Sequence, residues 1–125
     1  MTTVPEFEEH EGYLFVRIPP CDSVEQMCAN AKWIATECHA RGFSKVLLDT
    51  LLITNLPPAG NLYEVGARCA DLLVDHLKVA AVVCAQATSS DRSFENVLRN
   101  RGINYRWFLD AEQAKQWLVK DDVPK

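Results

Sequence analysis

The stretch "DTLLITNLPPAGNLYEVG", residues 49 to 66, gathers most of the side chains that could do chemistry. Asp49 and Thr50 stand inside an apolar run, Thr54 follows, and Asn61, Tyr63 and Glu64 open the next amphipathic segment. An aspartate at a strand end serves as a general base or a metal ligand when a second polar group converges on it. No second carboxylate or histidine lies near Asp49 in sequence, so the competing reading is a carboxylate that accepts from loop amides and fixes the turn. Tyr63 and Glu64 are placed to line the same cleft, and Glu64 is equally suited to complement a helix dipole. The loop itself holds Gly60 between Pro57, Pro58 and Asn61. A phosphate cradle needs several glycines so that backbone N–H groups can converge, and proline has no N–H to offer. Neither a P-loop nor a dinucleotide fingerprint is expected.

The remaining reactive residue types are scattered. Cys84 closes the run "KVAAVVCA"; a following helix N-terminus near Ser90 would activate its thiol, whereas a buried strand would make it a small hydrophobe. Thr88, Ser89 and Ser90 read as helix caps, and the chain has no GxSxG elbow. The five cysteines form no CxxC pair and no zinc-like spacing with His10, His39 or His76, so no metal and no cofactor is expected. Arg92, Glu95 and Arg99 fall on one side of a helix and read as a solvated face with an internal Glu–Arg pair. Trp33 points away from the apolar stripe of its helix, beside Gln26, Asn30 and Glu37, which makes it a candidate interface anchor. Trp107 and Trp117 are read as core.

These side chains need elements to hold them. "YLFVRI" stops at Pro19-Pro20 and reads as a strand; "EEHEG" before it suggests a turn, with "TVPEF" as a weaker partner strand. Val24, Met27, Cys28, Ala31, Ile34, Ala35 and Cys38 recur at helical spacing, and Gly42 ends that helix. "KVLLDTLLI" and "KVAAVVCA" are nearly unbroken apolar runs, the mark of strands covered on both faces. Between them a second helix carries Leu62, Val65, Gly66, Cys69, Leu72 and Leu73; a short third helix carries Phe94, Val97 and Leu98. "NYRWFL" is a last strand, and Asp110 with Gln113 forms a capping box for a final helix with Ala114, Trp117 and Leu118 inward. The order β-β-α-β-α-β-α-β-α predicts an α/β fold with a mixed, mostly parallel sheet of about five strands and four helices. Ligand sites in such sheets lie off the carboxyl ends of the strands, here Asp49 to Thr54, Cys84 to Ser90 and Phe108 to Asp110.

Composition narrows the class. A chain of 125 residues, 48% hydrophobic and 24% charged, fits a single globular domain over 1–125. Net charge is −4, and Glu6, Glu8, Glu9 and Glu11 account for all of it. That balance is the opposite of a nucleic-acid footprint, and the acidic segment suits a solvated edge strand that discourages edge-to-edge pairing. No basic, apolar leader opens the sequence, no run is long enough to span a bilayer, and unpaired cysteines fit a reducing cytoplasm.

The element order and the residues "KVLLDTLLITNLPPAGNLYEVGARCADLL" and "KVAAVVCAQATSSDRSFENVLRNRGINYRWFLDAEQAKQWL" resemble the STAS superfamily, in particular the stand-alone SpoIIAA-like branch of anti-sigma-factor-antagonist-like domains, which is also compared with CRAL-TRIO-type carriers. The resemblance spans roughly residues 10–120. It implies a non-catalytic domain used in protein–protein signalling in bacteria. In the anti-sigma antagonists a serine or threonine near the start of the second helix is phosphorylated by a partner kinase. Here Pro57, Pro58, Ala59, Gly60 and Asn61 occupy that place, and Thr50 and Thr54 fall earlier, so the switch hydroxyl is missing where the family pattern needs it. The expected partner is a protein, with a homodimer as a further possibility. The alternative is a small carrier that binds a lipid or another apolar ligand, and an enzyme built on Asp49, Cys84 or Tyr63 is the third class.

Overall fold

The computed structural model describes residues 5–20, 24–52, 64, 66–68, 77–83 and 95–120. Five strands form one sheet in the order β1-β2-β3-β4-β5: β1 (Glu6–His10), β2 (Tyr13–Arg17), β3 (Lys45–Asp49), β4 (Lys78–Val82) and β5 (Asn104–Phe108). β1 runs antiparallel to β2, and every later pair is parallel. Helix α1 (Val24–Arg41) fills the first crossover and a C-terminal helix (Ala111–Val119) follows β5. Residues 64 and 66–68 and residues 95–100 are helical within the other two crossovers. The mixed sheet and four helical segments match the order read from the sequence.

Sequential parallel strands joined by right-handed crossovers put the crossover helices on one face. The core is divided accordingly. On one face Leu14, Val16, Val46, Val79, Ala81 and Tyr105 pack with Ala31, Ile34 and Cys38 of α1 and with Leu98. On the other, Tyr13, Leu47, Ala80 and Val82 pack with Ala114 and Leu118 of the C-terminal helix. Both faces of β4 are covered, and all five of its residues are buried, which explains its unbroken apolar run.

Several boundaries and roles differ from the sequence reading. β1 reaches through His10, so Glu8 and Glu9 lie in the strand and the turn is only Glu11-Gly12, with Gly12 at φ 89°. Its glutamates do sit on an edge strand. β3 ends at Asp49, the near limit of the strand end read as Asp49 to Thr54, because the Asp49 Oδ1 accepts from the Leu51 N–H at 3.0 Å and turns the chain. Asn30, read as outward, is buried and accepts from Gln26 Nε2 at 3.1 Å. The edge strand lies under that side of α1, where Phe7 meets Trp33 with ring centroids 6.4 Å apart. Glu95 does not serve only a helix-surface pair: its Oε1 accepts from the Trp107 N–H at 3.3 Å, satisfying a donor on the open side of β5. Asp110 caps the C-terminal helix as expected, but the bond observed is from the Glu112 N–H at 2.9 Å, without a reciprocal one from Gln113. Trp107 and Trp117 are half-buried at the margins of the two cores.

Candidate functional site

The carboxyl edge of the parallel sheet is where the candidate residues were expected, and its backbone is well tied. The ladder runs one residue past the strands, with Ile18 N–H to the Asp49 carbonyl at 2.9 Å, Thr50 N–H to the Val82 carbonyl at 3.0 Å and Val83 N–H to the Phe108 carbonyl at 2.9 Å. Thr50 adds its hydroxyl to the same Val82 carbonyl at 2.7 Å. That hydroxyl proton is committed to the frame of the sheet.

Asp49 is committed as well. One carboxylate oxygen accepts from the Leu51 N–H, and the other meets Arg17 Nε at 3.4 Å across the β2–β3 ladder. The Arg17 guanidinium lies in turn 5.6 Å from the centre of the Phe15 ring. The long Arg17 contact is partly solvated and contributes little; the short turn bond does more. Asp49 shapes the turn that follows β3. Among the described residues no three His, Cys, Asp or Glu side chains gather where they could hold a metal ion.

Among the described residues of this edge, the large apolar side chains exposed to solvent are leucines. Leu51 and Leu52, just after β3, are 46% and 50% exposed, and Leu109, just after β5, is 56% exposed. The two turns are separated by two strand spacings, about 10 Å, so one partner can cover all three leucines. Single exposed leucines are ordinary; here three stand at the end of a sheet where ligands and partners usually dock. In the sequence Leu51 and Leu52 belong to the apolar run "KVLLDTLLI" and to the strand end at Asp49 to Thr54, but neither is singled out there as a contact residue. The available signal was Asp49-Thr50, two residues that favour a turn, in the middle of that run.

The other candidates divide. Glu64 is exposed and pairs with Arg68 at 2.8 Å, one helical turn on. Arg68 is held further above its ordinary pKa, first by a hydrogen bond with Cys28 and then by the charge of Glu64, which links this helical segment to α1. Trp33 is 40% exposed, but it sits on α1 against Phe7 of the edge strand, away from the strand ends. Arg41 closes the far end of the same surface: it meets Glu37 at 2.8 Å and Glu9 at 3.1 Å and lies over the Phe7 ring. Thr54, Asn61, Tyr63 and Cys84 lie outside the described residues. Of the other cysteines, Cys38 is buried and Cys28 half-buried, both as free thiols; burial and the neighbouring Glu37, opposed by Arg41, push the Cys38 thiol up to about 11. That shift makes Cys38 a poor nucleophile.

No helix of the described residues is long and apolar enough to cross a membrane. No protein-family model and no curated protein sequence matches the chain. Among solved structures, an anti-sigma factor antagonist from Mycobacterium paratuberculosis superposes with a TM-score of 0.64 at 12% identity, over 94% of each chain. At that identity the likeness speaks for the fold, and it agrees with the strand order, the antiparallel first hairpin and the helix-flanked parallel strands described above. This chain has the STAS fold, the fold of an anti-sigma factor antagonist.

Proposed function

We propose that this chain is a non-catalytic STAS-type regulatory domain that binds a protein partner through the carboxyl edge of its parallel sheet. The observation that carries the reading is the exposure of Leu51, Leu52 and Leu109 beside polar groups that are already engaged. Asp49 and Thr50 are bonded within the protein, so among the described residues the edge offers apolar area beside polar groups already engaged. Binding energy at protein interfaces is concentrated in a few desolvated side chains, and these leucines supply such anchors. By likeness of fold the partner is a regulatory protein of the anti-sigma kind.

The binding is not gated by phosphorylation at the start of the second helix. Residues 57–61, Pro-Pro-Ala-Gly-Asn, offer no hydroxyl there, and phosphorylating Thr50 would break its bond to the Val82 carbonyl. Complex formation then depends on the amounts of the two partners rather than on a covalent switch.

A photo-crosslinking side chain placed at Leu52, and in a second protein at Ala40 on the exposed side of α1, tests the reading in the native host. The expected result is one discrete protein adduct from position 52 and none from position 40. Equal labelling at both positions, or no adduct from 52, would reject it.

A further inference from the structure

At the opposite end of the sheet two lysines reach the C-terminal helix. Lys45 and Lys78 are the first residues of β3 and β4 and stand opposite each other in the parallel ladder. Lys78 is 6% exposed. Its Nζ donates to the carbonyls of Trp117 at 2.8 Å and Lys120 at 3.0 Å and lies 4.5 Å from the centre of the Trp117 ring. Lys45 Nζ reaches the Val119 carbonyl at 3.5 Å. The last turn of this helix has no basic residue, so the sheet supplies the cations that its terminal carbonyls attract.

The other anchors of the helix are apolar side chains and an N-cap. Ala114 and Leu118 are its buried side chains, Trp117 packs on Phe108 with ring centroids 5.8 Å apart, and Asp110 caps the N-terminus. Nine residues are too few for a helix to persist undocked in water. A helix this short, with two buried side chains, forms a unit small enough to open locally, below the free energy of global unfolding.

We propose that the C-terminal helix is a clamped cover, a unit that opens before the rest of the fold, with Lys45 and Lys78 setting how often it does so. Its opening bares Leu47, Ala80, Val82 and Phe108 on the sheet face beneath it. This inference stands apart from the partner reading, since it concerns the other end of the molecule and uses no partner.

Hydrogen exchange on the full chain, alone in solution, tests it. In the wild type, amides 115–120 should exchange faster than those of β4. K78M keeps the apolar stem and removes the donors; exchange of 115–120 should rise at least about tenfold, since two charged hydrogen bonds are lost, while β4 and α1 keep wild-type rates. K45M should give a smaller rise of about twofold, as befits a longer contact. Exchange of 115–120 at the β4 rate in the wild type, a K78M rise shared by every segment, or no rise overturns the proposal. If K78M does not fold, K45M decides: a rise confined to the helix supports the clamp, and its absence overturns it.

Discussion

The two ends of the parallel sheet treat charge and apolar surface in opposite ways. At the amino end a lysine is buried and its ammonium is spent on helix carbonyls. The Cys38 thiol is sealed there too, at the end of α1 where its carbonyl receives the Phe43 N–H at 2.9 Å. At the carboxyl end three leucines face solvent, and the neighbouring Asp49 and Thr50 are bonded to a turn amide and to a strand carbonyl. A buried charge is kept only when it is well bonded, so the amino end is a place of construction. Exposed apolar area has no such structural return, and the proposed function assigns the contact to the carboxyl end.

Substitutions should separate the two ends by the size of their effect on stability. The largest is expected from Leu118→Ala. Leu118 is fully buried between the C-terminal helix and the sheet, and removing it should cost about 2–5 kcal/mol through lost transfer energy and a cavity. Denaturant unfolding measures this. A loss below about 1 kcal/mol would mean that the helix contributes little packing and would erode the contrast.

A smaller, pH-dependent effect belongs to Cys38. Its thiol pKa is raised above the ordinary value of 9 to about 11, first by burial. A raised pKa in the folded state favours the protonated form there. The stabilisation is therefore complete below pH 9 and is lost as pH climbs from about 9 toward 11. Unfolding midpoints across that range should fall more steeply for the wild type than for Cys38→Ala. Parallel curves would remove Cys38 from the sealed end.

Much of this was legible beforehand. The alternation of apolar runs and helical stripes encodes the five strands and four helices, because parallel strands covered on both faces cannot afford polar residues. The acidic edge strand was legible for the converse reason: glutamates are tolerated where no further strand pairs. Three features escaped for physical reasons that act across the chain. Asn30 is buried although the helical period turns it outward from the stripe. Glu95 is drawn to the Trp107 N–H because β5 is an edge, and edge position is a property of the sheet. The lysine pair becomes visible only when "KVLLD" and "KVAAV" are laid side by side, since both begin with Lys and parallel register brings them opposite each other. Leu51 and Leu52 looked like strand residues because apolar type alone does not say whether a side chain is covered or offered.

The smallest effect on stability and the largest on function should come from the carboxyl edge, and it tests the central claim most directly. With the crosslinked partner identified and purified, its affinity is measured for the wild type and for the L51S/L52S/L109S triple variant. The account predicts an unfolding free energy within about 0.5 kcal/mol of wild type, as for surface sites, together with a loss of at least about tenfold in affinity, the signature of interface anchors. Unchanged affinity in a variant that folds normally would contradict it and move the contact surface elsewhere on the molecule.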